Sequence, residues 1–319
     1  MSQGSPKKTE QPQPSAALKL GRPILDFMRW RHWAMGLSLA VLLSSVLSLV
    51  LQGLVFGLDF TGGTQIEMRW EQPVEVEWAR DRLRSVGFNS PTVTHFGSDQ
   101  DLLIRVRESS EDVSERVISA VGETPDNPSE VKLTEFVGPQ VGDELFDQGG
   151  LGLLLALGVV MVYIALRFQF KFAVAAVAAL MHDVLLIVGV FSLMRWDFDL
   201  TVLAAVLAII GYSLNDTIVV SDRIRENLLH RRATSPVQII NESVNQTLDR
   251  TLITSLTTML VLAALLLMGG ELIAGFAKAM IIGIIVGTYS SVYVAAPVMI
   301  SLNLRSEDLL DSDEDTENS

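Results

Sequence analysis

The sequence predicts an α-helical polytopic membrane protein: a bundle of six transmembrane helices with one α+β domain of βαββαβ order set between the first two. Three observations carry this. Charged residues make up only 19% of the 319 residues and are segregated, because hydrocarbon excludes charge and leaves it to collect between spans. Six apolar stretches approach the roughly 20 residues that cross a ~30 Å core. Between the first two stretches the pattern changes to short elements of period 2 and period 3.6.

Residues 1–31 read as a cytoplasmic segment, disordered to about residue 17 on its Gln, Pro, Ser and Lys content. The first span follows at 32–52. Arg22, Arg29 and Arg31 flank it, and no small-x-small cleavage site follows, so it reads as an anchor and not as a signal peptide. Residues 53–146 form the inserted domain. Ile66, Met68 and Trp70 alternate along a strand. Val74, Trp78, Ala79, Leu83 and Val86 make one helical stripe, stopped by Gly87. Strands at 92–96 and 102–106 form a hairpin through Gly97-Ser98-Asp99. A second helix buries Val113, Val117, Ile118 and Val121, and a last strand covers 131–137. This order is the ferredoxin-like, split βαβ arrangement.

Residues 147–302 supply spans two to six, the apolar runs being 151–166, 172–194, 200–220, 252–268 and 272–302, with a cytoplasmic loop at 221–249. An acidic cytoplasmic tail occupies 303–319. Lys7, Lys8, Lys19, Arg167, Lys171, Arg223, Arg225, Arg231 and Arg232 all fall on one side if every span crosses. The excess of positive charge places both termini in the cytoplasm and the inserted domain outside it.

The net charge of −13 sits mainly in the outer domain and the tail. No basic patch with interleaved aromatics appears, so nucleic acid is not an expected partner. There are no cysteines, which excludes disulfides, thiol nucleophiles and thiolate metal sites. Neither a phosphate-binding glycine loop nor a zinc motif nor a triad-like grouping is present. The expectation is a protein that is not an enzyme and takes no cofactor and no metal.

Polar groups inside spans carry the functional signal, because a charge near a helix centre costs about 2.5–3.5 kcal/mol on insertion scales. Asp216, beside Asn215, lies six residues before Asp222, about 9 Å inside the cytoplasmic boundary. Ser213 and Thr217 are close to it on the helix. Burial makes its ionisation costly and a nearby cation eases it, the opposed effects that a proton site needs. Arg250 opens the fifth span, and Thr247, Thr254, Thr257 and Thr258 share its face. That polar stripe predicts that Arg250 turns inward toward Asp216. Asp183, beside His182 near the midplane, reads either as a second relay member or as a hydrogen-bonded structural residue.

Several blocks resemble a known family. They include Gly57-Leu-Asp59-Phe-Thr-Gly62-Gly63-Thr64, Phe136-Val-Gly-Pro139-Gln-Val-Gly142, Leu180-Met-His-Asp183, Gly211 to Asn227, Asn245 to Thr258 and Gly283 to Ser291. In one order across residues 59–302, they are similar to the SecF side of the SecD–SecF protein-export family, in the RND superfamily. The resemblance implies an RND-type six-helix bundle and an inner-membrane subunit that pairs with SecD. It also implies association with the SecYEG channel and YajC in the membrane lipid, and use of the proton-motive force to move a periplasmic domain that handles unfolded secretory polypeptide. The family's proton-linked aspartate and arginine match Asp216 and Arg250, and its entrance motif matches Asp59, Gly62 and Gly63. The alternative reading is an RND-type proton-driven exporter of small molecules or lipids. A purely structural scaffold is the third.

Overall fold

The computed structural model describes residues 25–89, 91–108, 110, 112–122, 127–167, 170–231 and 234–304. The expected disordered start and most of the acidic tail lie outside these residues. Along the chain come a 3-10 turn (Phe27–Trp30), helix α1 (Arg31–Gln52), strand β1 (Val55–Phe56) and a single helical turn (Leu58–Thr61). The outer domain follows: β2 (Gly63–Trp70), α2 (Val76–Ser85), β3 (Thr92–Phe96), β4 (Ser98–Val106), α3 (Val113–Val121) and β5 (Ser129–Val137). Then come α4 (Pro139–Arg167), α5 (Phe170–Met194), β6 (Asp197–Phe198), α6 (Leu200–His230), α7 (Pro236–Met268) and α8 (Glu271–Ser290). A π-helical stretch (Ser291–Ala295) and a short helix, α9 (Ala296–Ser301), continue α8. Pro297 lacks the N–H that would close the bond to Tyr293, which accounts for the widened turn before it.

Six of these helices are long and apolar enough to cross a membrane. In α5, α6 and α8 half or more of the apolar stretch is buried (56%, 50% and 56%), whereas in α4 none of it is. The bundle is therefore built around α5, α6 and α8. Helix α1 lies along α5, α7 lies on α6 and α8, and α4 stands at the edge.

The segment 221–249, expected to be a loop, is helical over 221–230 and 236–249. Its charges do not end the helices, because both run on past the bilayer into water, where charged side chains cost nothing. Asn227 donates to Ser243 (2.8 Å) and Gln246 (2.9 Å), so the two extensions are tied together. Asn241 and Asn245 hold the backbone of Leu25 and Met28 against α7.

The outer domain's sheet runs in the order β3-β4-β2-β5, antiparallel throughout. Ile66, Met68, Trp70, Leu102 and Ile104 form one face and are buried by Ala79, Leu83, Val113, Val117 and Val121 from α2 and α3. Val86, expected inside, is 45% exposed, and Phe88, two residues on, is buried in its place. The helix ends at Ser85, and the chain reverses at Gly87 (φ +98°), which turns Val86 outward and Phe88 in.

At the far end of the sheet, Asp101 is 2% exposed and takes both arms of Arg69 (2.7 Å each), with Ser98 at 2.6 Å and Lys132 at 3.2 Å. The bond from Arg69, helped by Ser98 and Lys132, holds its carboxyl well below the usual carboxylate range. A carboxyl depressed in the folded state stabilises the fold fully above its unfolded value of about 3.9 and loses that contribution as pH falls toward the folded value. Fluorescence melts of the full chain should therefore show stability falling steeply below about pH 4. Asp101→Asn should be less stable at neutral pH and nearly flat over the same acid range. An unchanged acid slope in that variant would show that Asp101 is not responsible.

Candidate functional site

Two places gather the sequence-predicted residues. The first is the joint between the outer domain and the bundle. Strand β1 pairs in parallel with β6, and the Gly57 N–H donates to the Phe198 carbonyl at 2.9 Å. In the single turn that follows, the Asp59 carboxylate accepts from the Leu200 N–H at 3.0 Å. Asp199 accepts from the Val202 N–H at 2.8 Å. Two carboxylates thus serve the free N–H groups at the start of α6, where the helix dipole favours negative charge.

Gly62 and Gly63 then turn the chain into β2 with φ of +63° and +124°. A Cβ on Gly63 would lie 2.4 Å from the Val106 carbonyl oxygen, and one on Gly142 would lie 2.9 Å from the Gly62 nitrogen. Arg105 closes the joint, bonded to Asp197 at 2.7 Å and to Gln65 at 2.5 Å. Phe56, Phe60, Phe146 and Phe198 pack edge to face and stacked beneath it. The motif at Asp59, Gly62 and Gly63 therefore sits where β2 of the outer domain meets the start of α6.

The second place is the middle of the bundle. Asp183 is fully buried. Its Oδ2 accepts from Ser213 of α6 (2.5 Å) and Ser290 of α8 (2.8 Å), and its Oδ1 meets His182 Nδ1 at 2.9 Å. His182 Nε2 meets Ser38 Oγ of α1 at 2.5 Å. Four helices therefore converge on one carboxylate and one imidazole. Ser213, expected beside Asp216, belongs to this cluster. The involvement of His182, Ser38 and Ser290 was not read from the sequence.

The available signal was a register. Ser38 meets His182 and Ser48 meets Ser192, each pair 144 residues apart. Between them Ser45 sits against Gly189, whose Cβ would fall 2.1 Å from the serine Cβ. The seven-then-three spacing of the serines keeps them on one face of α1.

Asp216 lies one turn beyond Ser213 on α6, is 3% exposed, and its Oδ2 is buried without a hydrogen-bond partner. Arg250 acts on it through space from α7. The expected inward stripe, however, is corrected. Arg250 and Thr257 are exposed, and Thr254 and Thr258 are only half-buried. The Thr254, Thr257 and Thr258 hydroxyls donate back to their own helix, to the carbonyls of Arg250, Ile253 and Thr254. The hydroxyls that α7 does bury are Ser243, Thr247 (the one member of the expected stripe among them), Thr251 and Ser255. Ser255 meets Thr288 of α8 at 2.8 Å. Each residue turns the helix by about 100°, and packing of Ile240, Val244 and Leu262 sets the buried face one position from the predicted one. Asn215 is exposed, about 100° around α6 from the buried Asp216. Lys278 lies 5.1 Å over the Trp196 ring.

The geometry has counterparts in known proteins. Residues 117–305 match the family model described as protein export membrane protein SecD/SecF, C-terminal, and residues 47–74 match that of the SecD/SecF GG motif. A protein translocase subunit SecF of Pseudomonas aeruginosa is 46% identical over 294 residues, covering 92% of this chain and 95% of the relative. One of Escherichia coli O157:H7 is 42% identical over 298 residues, covering 92% of each. The crystal structure of SecDF, a translocon-associated membrane protein from Thermus thermophilus, superposes with a TM-score of 0.81 at 36% identity. The match covers 89% of this chain and 39% of that one, so the chain spans well under half the length of that protein.

Proposed function

The chain belongs to the SecD/SecF family of protein-export membrane proteins, and on that premise we propose that it turns proton movement into work on exported polypeptide. The work is done as a SecF-type translocase subunit paired with SecD and acting beside the SecYEG channel and YajC. Both termini face the cytoplasm, and residues 53–146 form the periplasmic domain that handles unfolded secretory polypeptide. The membrane is the inner membrane. This is a transport role, as the names of the relatives indicate, and the energy is that of the ion gradient, about 2.3 kcal/mol per charge per 100 mV.

The observation that carries the reading is Asp216, a carboxyl buried in the fourth span with one oxygen unpartnered. A buried carboxylate with nothing to hold its charge is costly, so the group is stable either protonated or drawn to a cation. Arg250 is the cation on the facing helix. Its exposed face, with Thr254, Thr257 and Thr258, lines an open side of the bundle that a second subunit covers. Asn215 lies outside this pocket and Asp183 is a further member of the relay.

Export of a secretory precursor, in cells whose only SecF-type subunit carries Asp216→Asn at matched level, tests this. Loss of export with assembly intact is the expected result. Near-normal export would leave a scaffold and overturn the proton site.

A further inference from the structure

We propose that His182 and Asp183 form a second protonatable centre, in which His182 takes the proton and Ser38 passes its state to the first span. The inference deepens the proton-coupled reading of the bundle and rests on it.

With Asp183 ionised, its carboxylate only accepts, so the hydrogen at 2.9 Å belongs to His182 Nδ1. His182 Nε2 is then a bare acceptor, and Ser38 donates to it at 2.5 Å. In this state the cluster buries one net negative charge, held by Ser213, Ser290 and the imidazole. A proton arriving at Nε2 forms one N–H bond and leaves an imidazolium beside a carboxylate, so the net charge of the pair goes from −1 to 0. Nε2 now donates, and Ser38 must accept. The serine's own hydrogen turns to the carbonyl one turn back on its helix, that of Ala34. Tyr289 of α8 already donates to that carbonyl at 2.7 Å. Uptake of one proton thus rewires the contact of α1 with both α5 and α8.

The fit of this centre to its surroundings is specific. Its titratable neighbours are Tyr289, whose ring lies 6.5 Å from that of His182, and Tyr293 beyond it at 5.2 Å. On α6 the neighbour is Asp216, one turn from Ser213, with Arg250 acting on it from α7. On α1 the nearest is His32, six residues or about 9 Å from Ser38 along the axis. A route therefore leads from Asp216 along α6 to Ser213, Asp183, His182 and Ser38. From there α1 runs to Gly53, whose carbonyl takes the Ser192 hydroxyl at 2.8 Å, and on into the joint below the outer domain.

The test uses the full chain in nanodiscs, labelled with nitrogen-15 in histidine. His32, His95 and His230 are each replaced by Gln so that one imidazole remains. The His182 nitrogens should pass from the neutral to the charged pattern as pH falls from 9 to 5. An imidazole that stays neutral throughout would overturn the proposal and leave a structural clamp. In cells, His182→Gln, which hydrogen-bonds but does not ionise, should lower export at least tenfold at matched level, and normal export there would also overturn it. Titration of His182 that persists in Asp216→Asn, with export normal in that variant, would sink the Asp216 site while sparing this one.

Discussion

Replacing Gly63 by alanine should abolish stable docking of the outer domain, and with it export. The added methyl meets the Val106 carbonyl oxygen at 2.4 Å and the Arg107 Cα at 3.3 Å, and the backbone stands at φ +124°. A side chain in that region costs about 1–3 kcal/mol by strain alone. The carbonyl it strikes belongs to β4, the central partner of β2, and has no room to retreat. Overpacking of this kind adds about 1–3 kcal/mol. The sum is a large part of a small domain's stability of ~5–15 kcal/mol. Gly97→Ala is the matched control: its φ is +80° but nothing lies within 4 Å of the added carbon. Limited proteolysis of the full chain in membranes should cut the Gly63→Ala domain readily and leave Gly97→Ala close to wild type. Equal resistance of the two variants would show that the contact with β4 yields.

Gly189→Leu should separate α1 from α5. Even a bare Cβ at this position falls 2.1 Å from that of Ser45, and leucine adds three more carbons. In lipid no hydrophobic force holds helices together, so close approach of small residues and hydrogen bonds must do it. The absence of native cysteines makes the measurement clean. Cysteines at 48 and 192, where the two serine oxygens stand 2.8 Å apart, should form a disulfide in the parent chain and fail to form it in Gly189→Leu. Ser45→Gly should restore part of the yield to Gly189→Ala by moving the missing side chain across the contact. Full cross-linking in the leucine variant would mean that the helices meet elsewhere.

How much of this could be read from residues alone depended on range. The strand Ile66, Met68, Trp70 and the helix Val113, Val117, Val121 declare themselves by local periodicity, and their buried faces are as expected. Helix ends were poorly legible, because Asp222 to Arg231 look like a loop when the bilayer is taken as the limit of the helix. The face of α7 missed by one position, since hydroxyls mark a helix side only loosely when each can bond its own backbone. Strand β1 is two residues long and its partner lies beyond two spans, so no pattern within either segment marks it. Asp216 was legible from the cost of placing it in a span. The role of His182 was not, because it depends on Ser38, Ser213 and Ser290 arriving from three other helices.

The parallel register of α1 on α5 also bears on how the chain is made. Its contacting residues are separated by 144 positions, so Ser48 leaves the ribosome well before Ser192 exists. At ~5–20 residues per second the interval is about 7–30 s. During that time α1 dwells in the bilayer with Ser38, Ser45 and Ser48 lacking their final neighbours, and the outer domain has emerged and had time to fold. Ser44 shows how such hydroxyls wait, donating to the carbonyl of Val41 three residues back at 2.8 Å. The last step of biosynthesis is then an exchange of local for distant bonds, in which a folded domain is drawn onto the membrane by a helix inserted many seconds earlier.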